Sequence, residues 1–217
     1  MKLNQELVKY IHTKIIPMYK KHDRAHDEEH AKEVIDASFL IAHLVKQYID
    51  LNILIASAAL HDVGIRVNRE KHHEHSARII RHLRTLEKWF NRDEIETIAQ
   101  CAEDHRASVG LKPRSIYGKI ISDADKSSLI KIERAMERTW LYRIDTMKNE
   151  TDEEIFNEMY AHLNDKFGSK AGYAKLHLKE TLIAFRKDIA RTRKVCDNKD
   201  LALKLFKQMR KDGRLKR

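Results

Sequence analysis

A chain of 217 residues with only 6 Gly and 2 Pro has too few turn-forming residues for an all-β fold, so the sequence predicts long helices around a real core. The formal net charge of +10 favours a phosphate-bearing partner, although lysines spread along solvated helix faces would give the same value. No apolar run has the length of a membrane span, the N-terminus lacks the apolar stretch of a signal peptide, and the two cysteines lack metal-site spacing. We therefore expect a cytoplasmic protein with reduced cysteines and no membrane partner.

The spacing of apolar residues predicts the elements of the first half of the chain. An N-terminal helix is predicted to end near Tyr19, and its apolar positions are Leu7, Ile11, Ile15 and Met18. A polar segment, 20–29, separates it from a strong second helix with an apolar face. Residues 53–60 are almost wholly apolar, which predicts a helix buried on all sides. Gly64 is predicted to end that helix, because glycine adopts the left-handed C-terminal conformation at low cost.

The second half of the chain is also predicted to be helical. A charged loop, 66–73, leads to one amphipathic helix and then to another that begins at Asn91 or Asp93 as its N-cap. A loop over 109–113 precedes the next helix, whose apolar positions are Ile116, Ile120, Ile121, Ala124 and Leu129. The last third is interrupted at 168–172 and ends in a basic tail that is expected to be solvated.

His61 and Asp62 directly follow the apolar segment 56–60. His-Asp pairs also occur at 22–23 and 26–27, but those lie in the polar segment, where exposure is the natural interpretation. Burying a carboxylate at the end of an apolar helix is costly unless it is paired or bound to a cation. The sequence therefore favours a metal or salt-bridge role for this pair over an ordinary solvated helix end.

Four further polar residues continue the apolar stripes of four separate predicted helices: His30, His72, His105 and Asp125. Each lies about one turn from an apolar or small residue of its own helix, and so on the same face. Any one of them alone would pass for a polar group at the edge of the core. Together they indicate a shared site, because the inward stripes of a small bundle converge on one core.

This ordered set resembles the HD-domain superfamily of metal-dependent phosphohydrolases, and most closely its small bacterial members. The family has a histidine, a His-Asp pair and a distant aspartate, which here are His30 in HAKEV, His61-Asp62 in AALHDVG and Asp125 in ISDADKSS. HHEHSARII and the isoleucines before His105 are similar to the family's next two helices.

The resemblance covers about residues 24–129 and implies an all-α, HD-type helical bundle over 1–217. Its metal-binding core would lie at about 24–130, a C-terminal helical extension at about 131–205 and the basic tail at 206–217. Within the family pattern, Asp125 is preferred to Asp123 as a ligand because it directly precedes a lysine. His30 is preferred to His26, which is expected at the mouth of the site.

The implied ligands, His30, His61, Asp62 and Asp125, form a mixed nitrogen and oxygen set. Such a set suits Mn²⁺, Fe²⁺, Ni²⁺, Co²⁺ or Mg²⁺, whereas tetrahedral zinc could bind but would keep no open position. The resemblance implies hydrolysis of a nucleotide or another phosphate ester or anhydride through a metal-activated water, with one or two ions. The candidate catalytic residues are Asp62, Lys126, His105 and His72. The candidate substrate-binding residues are Lys126, Arg66, Lys71 and His26.

The competing hypothesis is a non-catalytic helical module that binds a nucleotide or RNA and holds a structural metal. Aromatic residues make up only 7% of the chain, and no basic stretch is interleaved with them, so a small phosphorylated substrate is favoured over nucleic acid. HDEEH at 26–30 carries Asp27 where zinc proteases carry the catalytic Glu. Guanosine-tetraphosphate hydrolases carry a Glu-Asp pair soon after their His-Asp, whereas Val63-Gly64-Ile65-Arg66 follow it here, and the Gly-Tyr-Pro motif of cyclic-dinucleotide phosphodiesterases is absent after His105.

Overall fold

The computed structural model describes residues 2–22, 26–106, 112–170 and 176–216, and these residues contain no β-strand. The prediction of an all-α fold is confirmed. In chain order, the α-helices are α1 (Gln5–Tyr10), α2 (Glu28–Leu44), α3 (Leu51–Leu60), α4 (His72–His82), α5 (Arg92–Asp104), α6 (Ile116–Ile130), α7 (Ile132–Thr146), α8 (Asp152–Phe167), α9 (Lys179–Ala184), α10 (Arg186–Cys196) and α11 (Lys199–Lys211). A π turn (Ile11–Ile15) and two 3₁₀ turns (Ile16–Lys21 and Arg84–Lys88) complete the helical segments.

The described residues form two compact units. Of the described residues, the first unit contains 2–22, 26–106, 112–127 and 176–184, and the second contains 128–170 and 185–216. The boundary after residue 127 lies close to the predicted end of the metal-binding core, but the assignment of a single HD-type domain stays a prediction. Within the part of the chain that the structure describes, no helix is both long and apolar enough to cross a bilayer.

The N-terminal helix is shorter than predicted and changes its geometry. The α-helix ends at Tyr10, and Pro17 lies in the first turn of the 3₁₀ segment, where its missing N–H breaks the α-helical hydrogen-bond ladder. The change of geometry rotates the buried face. Tyr19 is therefore fully buried, whereas Met18, predicted on the apolar stripe, is 39% exposed.

Capping side chains set where the central helices of the first unit begin. The Asp27 carboxylate accepts from the backbone N–H of His30 at 3.0 Å and starts α2. Asn91 rather than Asp93 starts α5, in a capping box with Glu94. Residues 53–60 of α3 are all buried, as the apolar run predicted.

Gly64 has a role different from the predicted one. Among the described glycines, only Gly213 has a positive φ, of 72°, so Gly64 does not cap α3 in the left-handed conformation. Instead, a Cβ on Gly64 would lie 2.4 Å from the backbone N of Ser76 and 2.7 Å from the carbonyl O of His72. The missing side chain lets α4 approach the turn that follows Asp62.

The second unit is built on a separate apolar core. Fully buried Trp140 is central to it, and the rings of Phe156 and Phe206 lie 4.9 Å apart, with Phe206 5.3 Å from Trp140. The basic tail contacts this core, because Leu215 is 1% exposed and Trp140 donates a 3.1 Å hydrogen bond to the carbonyl of Lys216. The tail is therefore packed on the second unit at Leu215, while Lys207, Lys211 and Lys216 are exposed, as expected for a solvated basic tail.

Two cations of this tail also have structural partners. Arg210 donates to Asp152 at 2.6 Å and lies over the Trp140 ring, while Arg214 donates to Glu137 at 2.6 Å. Parts of several sequence predictions lie outside the described residues: Asp23 of the first His-Asp pair, positions 109–111 of the predicted loop, positions 171–172 of the predicted interruption, Arg217 of the basic tail and the side chain of Leu129.

Candidate metal centre

The four predicted ligands come from two helices and from the end of a third with the turn that follows it, all in the first unit. His61 is the C-cap of α3, and Asp62 follows it in the turn. His30 lies in the first turn of α2, and Asp125 lies in α6. His30 and His61 are fully buried and Asp62 is 2% exposed, whereas 27% of the Asp125 side chain is exposed.

The structure brings these four side chains together. The Nε2 atom of His30 lies 3.2 Å from Oδ1 of Asp125 and 3.7 Å from Oδ2 of Asp62. The Nε2 atom of His61 lies 3.3 Å from the same Asp62 oxygen and 3.9 Å from Oδ1 of Asp125. The four donor atoms all lie within 4.8 Å of one another, and we call this group the first cluster.

A second cluster shares Asp62 with the first. The other carboxylate oxygen, Oδ1, lies 3.3 Å from Nε2 of His72 and 3.3 Å from Nε2 of His105. These two nitrogens lie 3.1 Å apart. His72 is the first residue of α4 and His105 is the C-cap of α5, so the N-terminus of one helix and the C-terminus of another supply the imidazoles of this cluster.

Backbone carbonyl groups orient three of the imidazole rings in the same way. The Nδ1 atoms of His61, His72 and His105 lie 2.7–2.8 Å from the carbonyl oxygens of Ala58, Arg69 and Ala102, each three residues earlier in the chain. A carbonyl only accepts, so each Nδ1 carries the hydrogen, and in a neutral ring the Nε2 lone pair then faces the cluster. This arrangement is the one that histidine ligands of metals use.

The electrostatics of the two clusters favour a positive charge between them. Although burial alone would raise it, the pKa of Asp62 lies well below its usual range because of His61, His105 and His30. Burial lowers the pKa of His61, but Asp62 and Asp125 outweigh it and raise that pKa to about 9. Burial lowers the pKa of His72 to about 4, so its imidazole is neutral at neutral pH.

The residues present fit divalent cations. Among the described residues, Nε2 of His61 and Oδ1 of Asp62 are buried and make no hydrogen bond, which is costly unless a cation satisfies them. The nitrogen and oxygen donors match the predicted choice of Mn²⁺, Fe²⁺, Ni²⁺, Co²⁺ or Mg²⁺. Each cluster has fewer protein donors than the about six positions that such ions fill, so positions would remain for water or substrate.

Comparison with protein families places the chain among phosphatase-related proteins. The model of Ppx/GppA phosphatase, domain III, matches residues 16–138, which is more than half of the chain. The chain belongs to this family. Searches of curated proteins and of solved structures gave no match. The match supports the phosphatase part of the sequence prediction, whereas membership of the HD-domain superfamily stays a prediction.

The matched segment of this Ppx/GppA domain III relative contains both clusters. It also contains Asp123, the alternative ligand, which lies elsewhere. Fully buried Asp123 accepts hydrogen bonds from the backbone N–H groups of His177 and Leu178 and from the hydroxyl of Thr181. It therefore anchors the start of α9, while Asp125, two residues later in α6, faces the first cluster.

Lys126, a predicted catalytic and substrate-binding residue, is buried, and the contacts described for it are with Ser122 and Asp123. Its ammonium donates to the Ser122 hydroxyl at 3.2 Å and lies 3.9 Å from Asp123 Oδ1. Ser122 and Asp123 precede Lys126 by four and three residues, which places all three on one face of α6. A contact of Lys126 with substrate phosphate stays a prediction.

The predicted substrate residues separate into two groups. The ring of His26 lies 5.6 Å from that of His30, and its Nδ1 lies 3.5 Å from the Arg69 guanidinium, so both lie near the first cluster. Lys71, the N-cap of α4, is exposed. Arg66 is exposed and lines a different cleft, described below.

Sequence reasoning missed Tyr19, which fixes the turn that carries the ligands. Its hydroxyl donates to the carbonyl of Ala59 at 2.9 Å and lies 3.3 Å from the backbone N–H of Asp62, which donates to it. Burial and the charge of Asp62 raise the pKa of Tyr19 well above its usual value, so the hydroxyl keeps its proton. The only signal in the sequence was Pro17, which predicts a change of helical geometry just before Tyr19.

Proposed function

We propose that the chain is an HD-type, metal-dependent phosphohydrolase that acts on a nucleotide or another phosphate ester or anhydride. The observation that carries this proposal is the pair of donor clusters that share the carboxylate of Asp62, each through one of its two oxygens. A single carboxylate placed between two sets of imidazoles is suited to a two-ion site. The relation to Ppx/GppA phosphatases supports chemistry on phosphate groups.

The first ion would be held by His30, His61, Asp62 and Asp125. The second ion would be held by Asp62, His72 and His105. When bound, such ions supply Lewis acidity, which lowers the pKa of a coordinated water and offsets charge on the phosphoryl oxygens.

The protein side of this chemistry is rigid positioning. The carbonyl groups of Ala58 and Ala102 hold His61 and His105 with their Nε2 atoms inward, and Tyr19 fixes the backbone at Asp62. Because these ligands are set before substrate arrives, little reorganisation is needed during the reaction.

Substrate would approach from the more open side of the clusters. The side chains of Asp125 and His72 are 27% and 14% exposed, whereas those of His30 and His61 are completely buried. Arg69 lies on this side, because its carbonyl contacts His72 and its guanidinium lies beside His26. We infer that Arg69 and His26 meet the substrate phosphate there.

The direct test measures release of phosphate or pyrophosphate from a panel of nucleotides with Mn²⁺, Co²⁺, Ni²⁺ or Mg²⁺. The wild-type protein is compared with His30→Ala and with the matched control His43→Ala, since His43 is an exposed histidine in the same helix α2. We expect metal-dependent release by the wild type and by His43→Ala, and none by His30→Ala. Salt-dependent nucleotide binding without any metal-dependent release would contradict the proposal and favour a binding module.

A further inference from the structure

A second cleft in the first unit, with a volume of about 470 Å³, carries cations that the metal centre does not use. This volume is within the range of sites for small organic ligands. We call it the basic cleft. Its walls come from the π and 3₁₀ turns after α1, from the turn after Asp62 and from α4, and they consist of Lys14, Pro17, Met18, Lys21, His22, Val63, Arg66, Val67 and Ile79.

The charge of the basic cleft is one-sided. Lys14, Lys21 and Arg66 are exposed, and no Asp or Glu is among the lining residues. Within the described part of the chain, none of these three cations takes part in an ion pair or a side-chain hydrogen bond. Three such cations around one concave surface attract an anion more strongly than the same charges on a convex face, because the low-dielectric walls focus their field.

The basic cleft also has an apolar wall. Met18 is 39% exposed and Val67 is 61% exposed, and the partly buried side chains of Pro17 and Ile79 continue this surface. An inorganic anion would leave the wall in water, whereas a ligand with an organic part would cover it. Cations beside an accessible apolar wall therefore match a phosphate group joined to an organic moiety.

The basic cleft is separated from the metal centre by a buried aromatic ring. The Tyr19 ring lies 4.6 Å from that of His22, which lines the cleft, and 6.4 Å from that of His61, a predicted ligand. No residue of either cluster lines the cleft, although Val63 directly follows Asp62.

We propose that the basic cleft binds a small phosphorylated organic molecule at a site distinct from the metal centre. The phosphate would contact Lys14, Lys21 and Arg66, and the organic part would lie on Met18 and Val67. This site does not depend on the proposed hydrolase activity, because it needs neither the metal nor its ligands.

The test uses calorimetric titration of the full-length chain with α,β-methylene-ADP, in the wild type and in Asp62→Asn. The cleft variant is the double substitution Lys14→Ala/Lys21→Ala, made in both backgrounds. Its matched control is Lys9→Ala/Lys32→Ala, which removes the same charge from exposed positions outside the cleft.

We expect the analogue to bind Asp62→Asn as it binds the wild type. In the cleft variant the affinity should fall by about tenfold or more, because hydrogen bonds to charged groups contribute a free energy of that size. In the control variant the affinity should not change. Equal weakening in the two double variants, or no binding in Asp62→Asn, would overturn the proposal. Inorganic pyrophosphate should bind more weakly than the nucleotide analogue, and equal affinity would contradict the role of the apolar wall. A further experiment uses phosphatidylglycerol vesicles. If the protein cosediments with them, the cleft variant does not, and the analogue fails to bind, the proposal of a small ligand is wrong and the cleft binds a membrane surface.

Discussion

The two units of this chain bury different kinds of side chain. The first unit buries ionisable groups, among them His30, His61, Asp62, His105, Asp123 and Lys126. In the described part of the second unit, Arg138 is the only Lys, Arg, Asp, Glu or His that is buried to this degree, and the core consists of residues such as Trp140, Phe156 and Phe206. Ion pairs of the second unit include Arg210 with Asp152, whose side chains are 34% and 38% exposed.

This difference separates the residues that stabilise the protein from those that carry its chemistry. An apolar core gains free energy from burial, whereas buried carboxylates and imidazoles cost free energy unless they are paired or bound to a cation. The first unit accepts that cost at one place, where two clusters share Asp62. Such local conflict with the rules of stable folding is typical of functional sites.

The largest expected effect on the site comes from Asp62→Asn. Because each cluster uses one oxygen of this carboxylate, a neutral amide there should abolish binding of both ions. In the wild type, a divalent cation at about 100 times its Kd should stabilise the fold by about 2.7 kcal/mol, and in the variant this gain should disappear. Thermal unfolding with and without Mn²⁺ measures it, and an equal metal-induced shift in both proteins would contradict the shared role of Asp62.

Trp140→Ala tests whether the apolar core of the second unit contributes stability without affecting the metal centre. Removing this fully buried ring from the core of the second unit should lower the free energy of unfolding by about 3–5 kcal/mol. Metal bound per folded molecule should not change, because Trp140 belongs to neither cluster. Chemical denaturation measures the loss of stability, and elemental analysis of the folded fraction measures the bound metal. A loss of metal from folded Trp140→Ala would contradict the separation of stabilising residues from metal-binding residues.

Gly64→Ala should have an intermediate effect that reaches the site through the backbone. The added Cβ would lie 2.4 Å from the backbone N of Ser76, so α4 must move, at a cost of about 1–3 kcal/mol. Because His72 begins α4, the second cluster should lose affinity for its ion before the first does.

The matched control is Gly118→Ala, where the nearest atom would lie at 3.1 Å from the new Cβ. Metal titration should show a weakened second ion only for the Gly64 variant. Identical titrations of the two variants and the wild type would argue against the close packing of α4 on this turn as a determinant of the site.

Tyr19→Phe should have the smallest effect of this series. It removes one hydroxyl, and with it the hydrogen bonds to the Ala59 carbonyl and from the Asp62 amide, at a cost of about 1–2 kcal/mol. Metal affinity should fall modestly because the turn of Asp62 loosens. Tyr10→Phe, whose ring packs on Trp89, is the control, and equal metal affinities in the two variants would remove Tyr19 from the positioning of the ligands.

The sequence was most informative where function depends on helical periodicity. His30, His72, His105 and Asp125 continue apolar stripes, so their convergence could be predicted from local spacing, and the structure brings them together around Asp62. The helical class followed from the same periodicity and from the scarcity of glycine and proline.

The parts that sequence missed depend on geometry between elements. The rotation of the face at Tyr19 follows from the π and 3₁₀ turns around Pro17, which a regular 3.6-residue period does not include. The role of Gly64 depends on how closely α4 approaches, and Arg66 turns into the basic cleft because of the path after Asp62. The spacing of residues along one helix predicts neither the close approach of α4 nor the path of the chain after Asp62.

The most direct test of the metal centre compares two aspartates that lie two residues apart in α6. Asp125 belongs to the first cluster, whereas the carboxylate of Asp123 accepts hydrogen bonds at the start of α9. Elemental analysis of folded Asp125→Asn and Asp123→Asn after loading with Mn²⁺ should show loss of the first-cluster ion only in Asp125→Asn, with wild-type metal content in Asp123→Asn. Wild-type metal content in Asp125→Asn would contradict the assignment of these side chains to a divalent cation.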